Sequence, residues 1–335
     1  MDTLSISDRP ALRKFYRVAG RSLLVEARDE EAARLVSRFF DAWYFTPSGP
    51  VAEARAALRF RSDGPAPSAP RGFEGFELPG GGHCRSDGNA FYLTFGDSHV
   101  TLAGDCSAEV RVRLGGGLRE GSHALANVVS YAASAALRRC GVVELHSGGV
   151  CDPSSGKGAL IIGASGSGKS TLTLQLAARG WNYLSDDVML LSERGGGVEA
   201  CGLRRDFAVT ERTLAASGLA TRHAAARAAF DPDKLRLPPA DIFPAGHVEK
   251  CAPTALFFPM VTGEAESRVE ELTQAEAMAR LIKMCPWAAY DVCAAPGHLG
   301  LLARLARQCA AHAVYAGTDV LRDRGLAARI IGPRL

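Results

Sequence analysis

The sequence predicts an α/β protein in two parts, a smaller β-rich α+β unit followed by a larger unit of alternating strands and helices. Three observations carry this. The first 115 residues hold strand-like runs cut by Pro/Gly/Ser-rich stretches. After Gly141, short apolar runs alternate with helical segments, the pattern of layered α/β folds. Between one such run and the next helix lies a glycine-rich segment, Gly163-Ala-Ser-Gly-Ser-Gly-Lys-Ser170. A length of 335 residues agrees with about two domains at ~150 residues each. With 47% hydrophobic and 22% charged residues, the chain can bury a large core.

In chain order, Phe15 to Ala27 mixes β-branched and aromatic residues as a strand does. Glu30 to Tyr44 then has helical spacing, with Ala33, Val36, Phe39, Phe40 and Trp43 on one side. The stretch from Pro47 to Gly82 reads as loops around short strands. Ala90 to Thr94, His99 to Ala103 and Ala108 to Leu114 follow as strands, the last alternating cleanly before Gly115-Gly-Gly117. Ser122 to Cys140 is helical, because Leu125, Val128, Val129, Ala132, Ala136 and Leu137 recur at three and four residues, and Gly141 stops it. Val142 to Leu145, Ala159 to Ile162 and Asn182 to Leu184 are short strands, with a helix from Ser170 to Arg179 between the last two. The amphipathic run Leu299 to Cys309 fits core packing better than membrane contact. The texture changes near residues 115–122, which divides the chain into 1–118 and 119–335.

Composition narrows the function classes. There are 39 basic and 36 acidic side chains, a net charge of +3, so neither a dedicated nucleic-acid binder nor an anionic-membrane binder is expected, although a local basic patch is compatible with this balance. Nine cysteines with no C-x-x-C pair speak against zinc ribbons and disulfide frameworks and for reduced thiols. No basic stretch followed by an apolar core opens the sequence, and no run is long and apolar enough for a membrane span, so the expected compartment is the cytoplasm.

The glycine-rich segment fits the P-loop pattern, with Gly163, Gly168, Lys169 and Ser170 at its fixed positions. Glycine lets successive backbone N–H groups converge on an anion where a side chain would clash, and the helix that follows adds its positive end. Residues 163–171 (Gly163, Ala164, Ser165, Gly166, Ser167, Gly168, Lys169, Ser170 and Thr171) are therefore the candidate nucleotide site. Lys169 would reach the β- and γ-phosphates, and the Ser170 hydroxyl would be a ligand for Mg²⁺. Only 17 residues beyond Lys169 stand two adjacent carboxylates, Asp186-Asp187, at the end of a short strand expected beside the P-loop strand. One could hold the metal while its neighbour takes the proton of an attacking hydroxyl. Adjacent strand residues point to opposite faces, so both serve one site only if the strand ends or twists there.

Leu145-His146, Gly163 to Ser170, Arg179-Gly180 and Leu184-Ser-Asp-Asp187, in this order and spacing, resemble the HPr kinase/phosphorylase family and its kinase-only relatives. The resemblance covers roughly residues 120–260. It implies a P-loop kinase domain of the HPr kinase/phosphoenolpyruvate carboxykinase-like type that uses ATP and Mg²⁺. It further implies that Asp186 is the base for the acceptor hydroxyl, that Asp187 sits near the metal and that His146 lies at the edge of the active site. Lys234, in Lys-Leu-Arg-Leu-Pro-Pro239, would face the phosphates or the acceptor. Arg204, in the Arg-Arg-Asp run after a glycine turn, is a candidate for stabilising transferred charge. Thr171 stands where the bifunctional members carry glutamate, and their carboxy-terminal Pro-Gly-Arg-Asn-type loop has no counterpart, which points to the kinase-only branch.

The expected activity is ATP-dependent transfer of the γ-phosphoryl group to a hydroxyl, serine foremost, of a peptide, protein or small molecule. The first unit would recognise that acceptor or form a homo-oligomer interface. The competing expectation is a nucleotide-hydrolysing switch acting through a partner protein; the sequence shows no guanine motif or arginine-finger segment for it.

Overall fold

In the computed structural model the chain divides into two units, Met1–Val142 with Ala289–Ala295, and Val143–Ala288 with Pro296–Leu335. It describes residues 9–37, 39–40, 45–51, 54–68, 72–203, 207–217, 219, 226–227, 234–238, 243 and 246–335.

The first unit is a nine-stranded mixed sheet: β1 (Leu12–Val18), β2 (Arg21–Ala27), β3 (Thr46–Ser48), β4 (Ala56–Arg61), β5 (Glu74–Leu78), β6 (Gly82–Ser86), β7 (Phe91–Phe95), β8 (Ser98–Leu102) and β9 (Glu109–Arg113). Their order across the sheet is β3-β1-β2-β4-β9-β8-β7-β6-β5. The single strand expected over Phe15 to Ala27 is a hairpin instead. Ala19 and Gly20 both have positive φ, at 45° and 73°, so the backbone reverses between β1 and β2.

Two helices pack on the sheet. Helix α1 (Glu30–Val36) begins where the Asp29 side chain accepts the Ala32 N–H; the expected helix continued to Tyr44, and residues 41–44 lie outside the described residues. Helix α2 (His123–Arg139) is capped by Ser122 and buries the predicted positions Leu125, Val128, Val129, Ala132, Ala136 and Leu137. It packs on β4, β8 and β9, so the division between units falls after α2 rather than near residues 115–122. Periodicity shows that a helix has an apolar face; it does not show which sheet receives it.

The first unit also takes in a late segment. Asp291, fully buried, accepts hydrogen bonds from Arg138 Nε at 2.8 Å and Arg139 Nε at 3.4 Å, and the Val292 N–H donates to the Gly88 carbonyl. Cys106 and Cys293 form a disulfide with Cα atoms 5.4 Å apart, which corrects the expectation that every cysteine is a reduced thiol. The partners are 187 residues apart, so no local spacing could announce them. The other seven cysteines are free.

The second unit is built on a second nine-stranded sheet. Its strands are β10 (Val143–Cys151), β11 (Gly158–Ile162), β12 (Asn182–Ser185), β13 (Val188–Arg194), β14 (Gly197–Gly202), and later β18 (Lys250–Cys251), β19 (Pro253–Val261), β20 (Arg268–Leu272) and β21 (Ala310–Ala316). Between them, β15 (Phe207–Val209), β16 (Ala226–Arg227) and β17 (Leu235–Leu237) form a small separate sheet. The main order is β18-β14-β13-β10-β11-β19-β21-β20, with β12 also paired to β10. Strands β11, β19 and β21 are parallel and buried on both faces, which explains their unbroken apolar runs. Leu160, Ile162, Leu256 and Phe258 meet helices Gln274–Met284 and Ala295–Gln308 on one side. Ala159, Ile161, Ala255 and Phe257 meet helix α3 (Lys169–Ala177) and helix Leu326–Ile331 on the other. Leu299 to Cys309 is thus a core helix, as its pattern indicates.

One expectation about this sheet fails. The strand bearing the acidic pair does not lie beside the P-loop strand β11, whose neighbours are β10 and β19. Strand β12 runs antiparallel to β10 instead. Behind the P-loop helix, Gly148 of β10 sits so close to α3 that a Cβ there would stand 2.2 Å from Thr173 Oγ1. Gly148→Ala should therefore cost about 1–3 kcal/mol of stability by overpacking. Thr173→Ala in the same chain should recover most of it, and thermal melts of the single and double variants check both outcomes.

No helix among the described residues is long and apolar enough to cross a membrane.

Candidate active site

The site forms where three backbone interruptions meet. The first is the loop between β11 and α3. Gly166 and Gly168 have φ of +79° and +100°, a region costly for other residues. Gly163 lies against the loop's far side, where a Cβ would be 2.6 Å from Ser167 Oγ. The Ala164 carbonyl accepts the Ser167 N–H at 3.2 Å and the Lys169 ammonium at 3.0 Å, so the loop closes on itself. Helix α3 starts at Gly168 without a side-chain cap, leaving its first-turn N–H groups and positive end for an anion.

The second interruption is the gap between β12 and β13. Both pair with β10, and Asp186-Asp187 occupy the two residues between them, so the strand does break at the acidic pair. The break separates the two carboxylates. Asp186 turns inward: it is 1% exposed, and its Oδ2 accepts the Ala208 N–H of β15 at 3.0 Å. Asp187 turns to the cavity, where its Oδ1 lies 2.8 Å from His146 Nε2. His146 reaches it from β10, in register with Val188.

The third is the turn from β15 into helix α4 (Glu211–Ser217), which brings Thr210, Arg212 and Thr213 to the cavity. Thr213 Oγ1 lies 3.3 Å from Thr171 Oγ1 of α3 and 3.1 Å from Thr210 Oγ1.

These residues line one cavity of about 600 Å³. Ser165, Gly166, Gly168, Lys169, Ser170 and Thr171 form one side of it. His146, Asp187 and Lys234 stand on it as well, while Val209, Val261, Val320 and Leu321 make an apolar wall. Lys169 is 6% exposed. Burial pushes its pKa below the usual lysine range, Asp187 and Asp186 oppose this, and Lys234 adds to it. An arriving polyanion would relieve that unfavourable burial of charge.

The structure thus brings together most of the residues singled out from sequence: His146, Ser165, Gly166, Gly168, Lys169, Ser170, Thr171, Asp187 and Lys234. Gly163, Ala164 and Ser167 shape the loop from behind. Asp186 is placed differently from the sequence expectation. Its carboxylate is buried on a backbone N–H, while Asp187 and His146 are the pair that stand on the cavity. Arg204 lies outside the described residues. Thr210, Arg212 and Thr213 had no sequence signal beyond a Thr-x-x-Thr helix start.

Among the described residues no group of three or more His, Cys, Asp or Glu side chains could cage a metal. Mg²⁺ needs no such cage, since it binds through one or two protein oxygens and substrate phosphates. The Ser170 hydroxyl and the Asp187 carboxylate are hard oxygen donors on the same cavity and fit that requirement.

No protein-family model matches this sequence, and no curated protein does. Among solved structures, the Hpr(Ser) kinase/phosphatase from Coxiella burnetii matches at 15% identity and a TM-score of 0.26, over 38% of this chain and 77% of that one.

Proposed function

We propose that this protein is an ATP-dependent kinase that transfers a γ-phosphoryl group to a hydroxyl, serine foremost, on a peptide, protein or small molecule. The observation that carries the reading is the approach of Asp187 Oδ1 to within 2.8 Å of His146 Nε2 on the same cavity as Lys169 and the uncapped start of α3. A nucleotide-holding protein needs the second half of that arrangement; a transferase also needs the first.

The phosphates would lie on the first turn of α3, with Lys169 leaving the Ala164 carbonyl for their oxygens. The nucleobase would rest on the apolar wall of Val261, Val320 and Leu321. Mg²⁺, held by Ser170 and Asp187, supplies charge neutralisation of the phosphate oxygens when bound. His146 donates its Nε2 proton to Asp187, which fixes the tautomer and leaves Nδ1 as the atom that takes the acceptor's proton. Asp186 is a positioning residue that ties the β12–β13 break to β15.

Incubation with γ-labelled ATP and serine-containing peptides, free serine or HPr tests this. Label should appear on an acceptor, vanish when EDTA removes divalent metal, and return with added Mg²⁺. Label released only as inorganic phosphate, whatever acceptor is present, would instead make the protein a nucleotide-hydrolysing switch.

A further inference from the structure

The sheet of the first unit has two unlike faces. Leu58, Phe60, Val100, Leu102, Val110 and Val112 are buried on the side where α1 and α2 pack. Among the described residues no helix covers the other side, and it carries a concentration of arginine. A groove of about 640 Å³ there is lined by Arg13, Arg28, Arg59, Arg61, Arg111 and Arg113.

The strand register sets these side chains in two rows. Arg13 pairs with Glu26, Glu26 with Arg59, and Arg59 with Arg111 across β1, β2, β4 and β9. Two residues further along, Arg61 pairs with Arg113, and Arg113 with His99 of β8. Neighbouring strands stand about 4.8 Å apart and alternate residues about 6.8 Å along a strand, so the arginines form a grid. Placing Arg59 opposite Arg111 and Arg61 opposite Arg113 does not help a sheet fold, since directly opposed like charges destabilise it.

Carboxylates offset only the first row. Glu26 pairs with Arg13 and Arg59, and Glu109 with Arg59 and Arg111. Arg28, Arg61 and Arg113 have no acidic partner among the described residues. Arg61 donates to the Pro65 carbonyl, and Arg113 to those of Gly64 and Asp97. The whole chain carries a net charge of only +3, while this face sets six arginines against the carboxylates of Glu26 and Glu109.

We propose that this open arginine face is a binding site for an acidic peptide segment, held extended with Asp or Glu side chains at alternate positions. An extended peptide repeats its side chains on one face at the same ~6.8 Å step as Arg59 to Arg61 and Arg111 to Arg113. Guanidinium groups on such a grid suit carboxylates, which they grip with two hydrogen bonds. A single-stranded nucleic acid would ask for exposed aromatic rings on which to stack; the aromatic rings in the lining are those of Phe60, which is 2% exposed, and of His99, which bonds to the Tyr92 hydroxyl. A membrane surface would ask for large exposed apolar side chains among the arginines; Phe60 and Val112 of the lining are buried, and Pro10 and Pro67 are half-buried. The proposal concerns the first unit alone and stands apart from phosphoryl transfer in the second.

Fluorescence anisotropy on the full chain tests it, with a labelled peptide of alternating Glu and Ser, its Lys–Ser counterpart, an oligothymidylate of equal length and phosphatidylserine vesicles. The acidic peptide should bind, and raising salt from about 50 to 300 mM should weaken it about tenfold or more. Arg61→Glu with Arg113→Glu should abolish binding, and Arg61→Lys with Arg113→Lys should keep most of it. Because Arg61 and Arg113 also hold loop carbonyls, Arg28→Glu, at an exposed side chain, is the milder variant, expected to weaken binding about threefold or more. Lys169→Ala should leave binding unchanged. No binding of the acidic peptide, unchanged binding by both charge-reversed variants, or tighter binding of the oligonucleotide or vesicles would each overturn the proposal.

Discussion

Asp187→Asn is expected to lower the phosphoryl-transfer rate by about two to four orders of magnitude, the usual contribution of a positioned acid–base group, while the nucleotide still binds. The amide keeps the shape of the side chain but loses the charge that stands 2.8 Å from His146 Nε2. It also weakens one of the two oxygen donors offered to the metal; raising Mg²⁺ should recover that part of the loss and leave the part that comes from His146. His146→Gln should give a comparable fall in kcat with nucleotide affinity kept, a split that a purely structural histidine would not give. Lys169→Ala should abolish transfer through the phosphates themselves, and there nucleotide affinity should fall too. Asp186→Asn is the discriminating variant. The Asp186 carboxylate faces the Ala208 N–H, so this change should lower thermal stability and leave more activity than Asp187→Asn does. Steady-state kinetics with melting curves on the four variants decide the matter. A folded Asp186→Asn enzyme with no transfer, beside a nearly normal Asp187→Asn enzyme, would return the base to Asp186.

The parts of this site that could be read from sequence are those whose chemistry needs neighbouring residues. An anion cradle requires glycines, a lysine and a hydroxyl in one short stretch, so Gly163 to Ser170 was legible before any fold was known. The acidic pair was legible as a pair, but not in its orientation. Which carboxylate turns inward depends on where β12 ends and on the Ala208 N–H of β15, which approaches it from 22 residues away in sequence. Thr213 reaches Thr171 across 42 residues and carries no signature of its own. The fold divides along the same line. Helix α2 followed from its apolar spacing, and β11 from its apolar run. The sheet that α2 joins, the partner of β12 and the Cys106–Cys293 bridge are long-range facts that spacing does not encode. The arginine face lies between: each Arg-x-Arg in β4 and β9 is visible in the sequence, but only the register places Arg59 beside Arg111 and Arg61 beside Arg113.

The strongest structural prediction concerns the late segment within the first unit. Asp291→Ala should destabilise that unit by about 3–5 kcal/mol, because it leaves buried arginine charge without its counterion. Arg138 is 5% exposed and Asp291 not at all, so water is poorly placed to replace the lost carboxylate. Arg139 is held additionally by the Ala103 and Asn89 carbonyls and therefore keeps partners when Asp291 is removed. For a unit of this size the change corresponds to a fall in Tm on the order of ten degrees. Removing the charge instead of stranding it should recover part of the loss: Arg138→Leu in the Asp291→Ala background would pack on the Phe91 ring that the guanidinium now faces at 5.8 Å. Chemical and thermal denaturation of the two single variants and the double variant would measure the coupling. Strictly additive costs, or a single-variant loss below about 0.5 kcal/mol, would mean that the disulfide and the Val292–Gly88 hydrogen bond hold this segment without help from the ion pair.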